Sequence, residues 1–119
     1  MHKTLLLAAT AALLTTGHAW AHARLLHAAP KVGETVRGSP AELRLWFSES
    51  IDLPKSSVTL AGPAGPVAIG RLGLDPKSPR VVVAPLPRRL APGAYHVTWG
   101  MTSLDTHHTD GDFMFKVAP

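Results

Sequence analysis

Ala94-Tyr95-His96-Val97-Thr98-Trp99-Gly100-Met101 and Asp112-Phe113-Met114-Phe115-Lys116-Val117 are the two runs that decide the fold. In an extended chain successive side chains point to opposite faces. Tyr95, Val97, Trp99 and Met101 therefore share one face, and His96, Thr98 and Gly100 the other. Phe113, Phe115 and Val117 oppose Asp112, Met114 and Lys116 in the same way. Such alternation predicts two half-buried strands with a packed inner side.

The same period recurs upstream. Leu43, Leu45 and Phe47 alternate with Arg44 and Trp46 over residues 42–48, and Val58 and Leu60 mark a strand over residues 56–61. Residues 67–72 read as a short strand, and Arg80-Val81-Val82-Val83-Ala84 as another that Pro85 and Pro87 end. A short first strand follows His22 and stops at Pro30. Residues 31–40 are a turn-rich link and residues 48–54 a connection. Gly62-Pro63-Ala64-Gly65-Pro66 is a turn, and residues 73–79 a loop carrying the turn dipeptides Asp75-Pro76 and Ser78-Pro79. About seven short strands with no helical period predict an all-β, antiparallel sandwich or barrel. Trp46, Trp99, Phe113 and Phe115 are read as packing residues, since a large side chain stabilises by about 1.5–3 kcal/mol when fully buried. Met101 and Met114 are read as core or surface filler.

The 119 residues allow one domain. The first 21 have the layout of a secretory signal peptide: His2 and Lys3, an apolar run from Leu5 to Leu14, then a small-x-small end in Ala19-Trp20-Ala21. That run is too short to span a bilayer as a helix. Cleavage after Ala21 leaves a domain of residues 22–119 that begins with His22. There is no cysteine, so an exported domain has no disulfide and no thiolate for metal binding or nucleophilic chemistry. Without Lys3, the 12 Lys and Arg and 8 Asp and Glu leave a formal charge of only +3. Arg88-Arg89 is the one basic cluster, which gives nucleic-acid binding no support.

Asp105-Thr106-His107-His108 lies between the two deciding runs. Asp105 and His107 are two apart, so an extended segment points both to one side, while His108 points to the other and competes for the ligand role by register. Asp-x-His alone is a weak signal. His22 strengthens it, because an N-terminal histidine offers its α-amine and its ring to the same ion. The amine has an ordinary pKa of about 7.7–8 and yields its proton to a metal near neutrality. Three nitrogens and one carboxylate oxygen suit tetragonal copper(II). His27 is read as a surface or outer-shell residue and His96 as solvent-facing. Asp110 and Asp112 add acidity, though Asp110-Gly111 is also a turn signal. Glu49 and Asp52 are read as solvated loop residues.

The chain resembles the CopC-type periplasmic copper-binding proteins, a copper-resistance family, over essentially all of the mature region. The resemblance rests on His22, on Leu25-Leu26-His27-Ala28-Ala29-Pro30, on Leu43-Arg44-Leu45-Trp46-Phe47-Ser48-Glu49 and on the run from Leu90 to Trp99. It rests most specifically on Ser103-Leu104-Asp105-Thr106-His107 followed by Gly111-Asp112-Phe113-Met114-Phe115-Lys116-Val117. It implies a Greek-key sandwich resembling a cupredoxin, periplasmic location, no enzymatic activity, and one copper(II) ion per chain held by His22, Asp105 and His107. It also implies an inner-membrane copper transport protein as a possible partner, and the chain itself is read as a monomer. The methionine-rich loop that binds copper(I) in some members has no counterpart here, since residues 58–74 contain neither methionine nor histidine. Two other functions use the same residues: a copper redox enzyme whose paired histidines resemble a histidine brace, and a structural sandwich whose histidines are incidental.

Overall fold

The computed structural model describes residues 22–119, and the signal-peptide expectation lies outside the described residues. Among the described residues nine strands follow one another: β1 Leu25–Ala29, β2 Thr35–Val36, β3 Glu42–Phe47, β4 Ser57–Gly62, β5 Gly65–Val67, β6 Gly73–Asp75, β7 Ser78–Pro85, β8 Gly93–Thr102 and β9 His108–Val117. They build a four-stranded sheet in the order β1-β3-β7-β6 and a five-stranded sheet in the order β2-β9-β8-β4-β5. The two deciding runs are the spine of the larger sheet, with β8 and β9 in unbroken antiparallel register from Gly93 opposite Val117 to Thr102 opposite His108. The fold is the all-β, Greek-key-like sandwich expected.

The alternating residues meet between the sheets. Leu43, Leu45 and Phe47 of β3, Val82 and Ala84 of β7, and Val58 and Leu60 of β4 are buried with Tyr95, Val97, Trp99, Met101, Phe113, Phe115 and Val117. Phe47 packs edge-on against Trp99 across the gap, with ring centroids 5.1 Å apart, and Tyr95 stacks on Phe115 at 5.5 Å. Met101 is fully buried and Met114 exposed.

Five local expectations change. Trp46 is not in this core: it lies half-buried on the outer face of β3, edge-on to His27 at 6.5 Å. Its neighbours Leu45 and Phe47 take the inner positions, so strand alternation turns its ring outward. Residues 73–79 are not a loop but a tight hairpin between β6 and β7. The Lys77 N–H donates to Asp75 Oδ1 at 2.7 Å and Arg44 pairs with the other oxygen, which lets Asp75-Pro76 turn the chain within two residues. The strand expected at residues 67–72 ends at Val67, after which the chain leaves the sheet and Gly70 N–H donates to the Pro85 carbonyl at 2.7 Å. Strand β2 runs parallel to β9, the exception to an otherwise antiparallel pairing.

Asp110-Gly111 is not a turn, since both residues lie inside β9. The glycine is needed for a different reason: a Cβ there would stand 2.2 Å from the Trp99 ring, which lies across it.

Candidate metal centre

One end of the sandwich is closed by three segments: the turn at residues 103–107 between β8 and β9, the connection after β3, and the chain entering β1. Ser103 bridges to Ile51, the Asp52 N–H donates to the Thr102 carbonyl at 2.8 Å, and Leu104 N–H donates to the Ser50 carbonyl at 3.0 Å. The entering chain is fixed by burial and by a polar clip. Ala23 is fully buried in the core. Arg24 N–H donates to Ser48 Oγ at 2.8 Å, Ser48 N–H donates to the Arg24 carbonyl at 2.9 Å, and Ser48 Oγ donates to the His22 carbonyl at 3.3 Å. His22, far from the turn in sequence, is held beside it.

The turn itself is not the extended segment that alternation suggested. Thr106 N–H donates to the Ser103 carbonyl at 2.9 Å, and Thr106 has φ of +74°, the sole positive φ outside glycine among the described residues. A β-branched residue rarely adopts this left-handed conformation, and such strain persists where surrounding contacts fix it. Here the Ser103 N–H donates to the His107 carbonyl at 2.9 Å, and the buried Ser103 hydroxyl donates to Asp105 Oδ1. Asp105 and His107 thus come to one side through a tight turn rather than through strand alternation. Their Oδ1 and Nδ1 are 3.2 Å apart.

The His22 and His107 rings meet edge-on, with centroids 5.5 Å apart. His107 thus lies against both other residues singled out from sequence, the His22 ring and the Asp105 carboxylate. His108 begins β9 on the opposite side, with Nδ1 2.8 Å from Thr102 Oγ1 and Nε2 2.8 Å from Asp110 Oδ1. His27 is on β1 against Trp46, and His96 on the outer face of β8 with Nε2 2.7 Å from Asp112 Oδ2. Glu49 lies half-buried between Ser48, which clips the entering chain, and Ser50, which accepts from Leu104.

Among the described residues no three His, Asp or Glu side chains stand ready-arranged as a metal cluster. The donor set proposed from sequence does not consist of side chains alone, because one donor is an α-amine that exists only once the chain begins at His22. The Ser103 hydroxyl holds Asp105 below the ordinary carboxylate range, against the opposing effect of desolvation, and His107 acts in the same direction as Ser103. Ser103 is the residue holding this turn that spacing alone did not single out. Its signal was its place immediately before Leu104-Asp105, where a short hydroxyl can bond within its own turn.

Fold and site together define a small two-sheet sandwich with a nitrogen and oxygen cluster at one end. The family model described as the CopC domain matches residues 25–118. The chain is 34% identical to copper resistance protein C of Escherichia coli, over 83% of each chain. It is 31% identical to the protein YobA of Escherichia coli K12, over 87% of this chain and 85% of that one. Among solved structures it is similar to PcoC, a methionine-rich copper resistance protein from Escherichia coli, with a TM-score of 0.74 and 29% identity over 82% of this chain and 99% of the other. It is also similar to CopC from Methylosinus trichosporium OB3b, with a TM-score of 0.75 and 29% identity over 82% and 95%. The chain belongs to the CopC family. It is a periplasmic copper-binding and homeostasis protein of that family.

Proposed function

We propose that the mature chain begins at His22 after cleavage behind Ala21, and that it holds one copper(II) ion through the His22 amine and ring, Asp105 and His107. The observation that carries this reading is the edge-on contact of His22 with His107 beside Asp105. Copper here is cargo. Two donors about 2.0–2.1 Å from an ion and about 90° apart stand about 2.9 Å from each other, so the 3.2 Å between Asp105 Oδ1 and His107 Nδ1 needs little adjustment to close on one ion. The donors are nitrogen and oxygen, which favour the divalent ion over copper(I). Methionine content supports the same choice: of the 3 methionines one is Met1, Met101 is fully buried, and Met114 remains as the exposed thioether among the described residues.

An ion held by one residue from the chain's start and two from a surface turn is accessible to a partner. The role proposed is storage, buffering or delivery of copper(II) in the periplasm by a monomer, with an inner-membrane copper transport protein as the receiving partner.

Intact-mass spectrometry of the exported protein, with and without one equivalent of copper(II), tests both halves of the proposal. The expected result is a chain starting at His22 that gains one copper ion. A start at any other residue, or no retained copper from a His22 start, would remove it.

A further inference from the structure

Gly100 faces Asp110 across the β8–β9 ladder, and Thr102 faces His108. The side chains of His108 and Asp110 are exposed and lie over Gly100 on the outer face of the five-stranded sheet. Their Nε2 and Oδ1 are 2.8 Å apart, close to the separation of about 2.9 Å for two donors at right angles on one copper-sized ion. A Cβ at Gly100 would lie 2.8 Å from Asp110 Oδ1 and 3.2 Å from His108 Nε2, so the pair rests directly on this glycine.

The other ring nitrogen is fixed from behind. The buried Thr102 hydroxyl donates to the Lys55 carbonyl at 3.0 Å. A hydroxyl has one proton to give, so Thr102 Oγ1 accepts from His108 Nδ1–H at 2.8 Å. That leaves Nε2 directed at the Asp110 carboxylate oxygen. An imidazole whose far N–H is held by a neighbouring oxygen is the usual arrangement of a metal-binding histidine. His96 and Asp112 supply the contrast. Their 2.7 Å separation is similar, yet among the described residues no hydroxyl or carbonyl fixes the far nitrogen of His96, and Thr98 rather than glycine faces Asp112.

We infer that His108 and Asp110 form a second copper(II)-binding position, completed by water and weaker than the first, on the sheet face next to the turn. With only two protein donors it exchanges its ion readily, which suits a position where copper arrives or leaves. The inference rests on copper as the cargo of the family and not on the ligand set proposed for the first site.

The test is stepwise addition of copper(II) chloride to the mature chain, followed by calorimetry and electron paramagnetic resonance. Two classes of ion are expected, the second at least about 10-fold weaker. His108→Ala and Asp110→Asn each remove the second class and change the first by less than about 2-fold. His96→Ala leaves both. Asp105→Asn with His107→Ala removes the first class and leaves the second, so the two proposals fail separately. A single class in the unaltered chain, or a second class that survives both His108→Ala and Asp110→Asn, overturns the inference. Equal loss on His96→Ala also overturns it, because it would mark general binding by the sheet face.

Discussion

The β8–β9 ladder and the turn that joins its strands are one hairpin held by two kinds of force. Along the ladder, Val97, Met101 and Phe115 are fully buried, and their stabilisation is non-directional and set by area removed from water. In the turn, Ser103 alone is buried; its hydroxyl, two backbone bonds and the positive φ of Thr106 hold Asp105 and His107 in place. The ladder needs the right volume and the turn needs the right atoms. With copper held at the turn as proposed, stability and copper binding are separable within twenty-five residues of sequence, residues 93–117.

The strongest way to strain that separation is Phe115→Ala, which opens a cavity in the ladder and costs about 3–5 kcal/mol of stability. Chemical denaturation measures the loss, and the fraction still folded is expected to bind copper with unchanged affinity. His107→Ala is the converse. Copper affinity falls about 100-fold or more, equivalent to about 2.7 kcal/mol of binding, while denaturation of the metal-free protein changes by less than about 1 kcal/mol. A loss of copper binding in Phe115→Ala, or a large loss of stability in His107→Ala, would join what the structure separates.

Ser103→Ala is expected to act more mildly, with copper affinity about 10-fold lower. The sign of its pH effect follows from the hydroxyl bond that lowers the Asp105 pKa. A carboxylate whose folded pKa lies below its unfolded value contributes stability above about pH 4, and that contribution is lost as pH falls through the folded pKa. Without the hydroxyl the carboxylate protonates at higher pH, so acid releases copper from Ser103→Ala earlier than from the unaltered chain. The smallest effect is expected at Asp75, away from the site, whose pKa is lowered chiefly by its hydrogen bond from Arg44 and next by the Lys77 N–H. The same sign applies. Asp75→Asn flattens the metal-free stability profile below about pH 4, read by thermal unfolding across pH, and leaves copper affinity unchanged.

The ladder was legible in the sequence because each strand carries at least three apolar residues at period two, and burial of one face follows directly. Val67 to Leu72 carries a similar apolar content but leaves the sheet after Val67 to bond Pro85, a tertiary preference that periodicity does not encode. Gly73-Leu74-Asp75 is too short to show alternation, and Thr35–Val36 joins β9 through a parallel pairing that only the assembled sheet creates. Asp110-Gly111 misled for a related reason. The local turn preference yields to a ladder in which Trp99 needs the space above Gly111.

At the site, residue types and spacing were enough to single out His22, Asp105 and His107, and a family resemblance agreed. The route by which two of them meet was not legible. Their common side comes from the left-handed Thr106 and the Ser103 hydroxyl, features that depend on how Ser50 and Ile51 hold the turn. His22 likewise depends on Ser48, a contact between distant parts of the chain.

The central claim is that an N-terminal amine and a surface turn share one copper(II) ion. Electron paramagnetic resonance of the chain starting at His22, set beside the same chain with one extra residue before His22, tests it most directly. At one equivalent of copper(II) the first is expected to give a single axial nitrogen and oxygen spectrum, and the second to lose that spectrum together with about 100-fold or more in affinity. Identical spectra and affinities from the two chains would contradict the account.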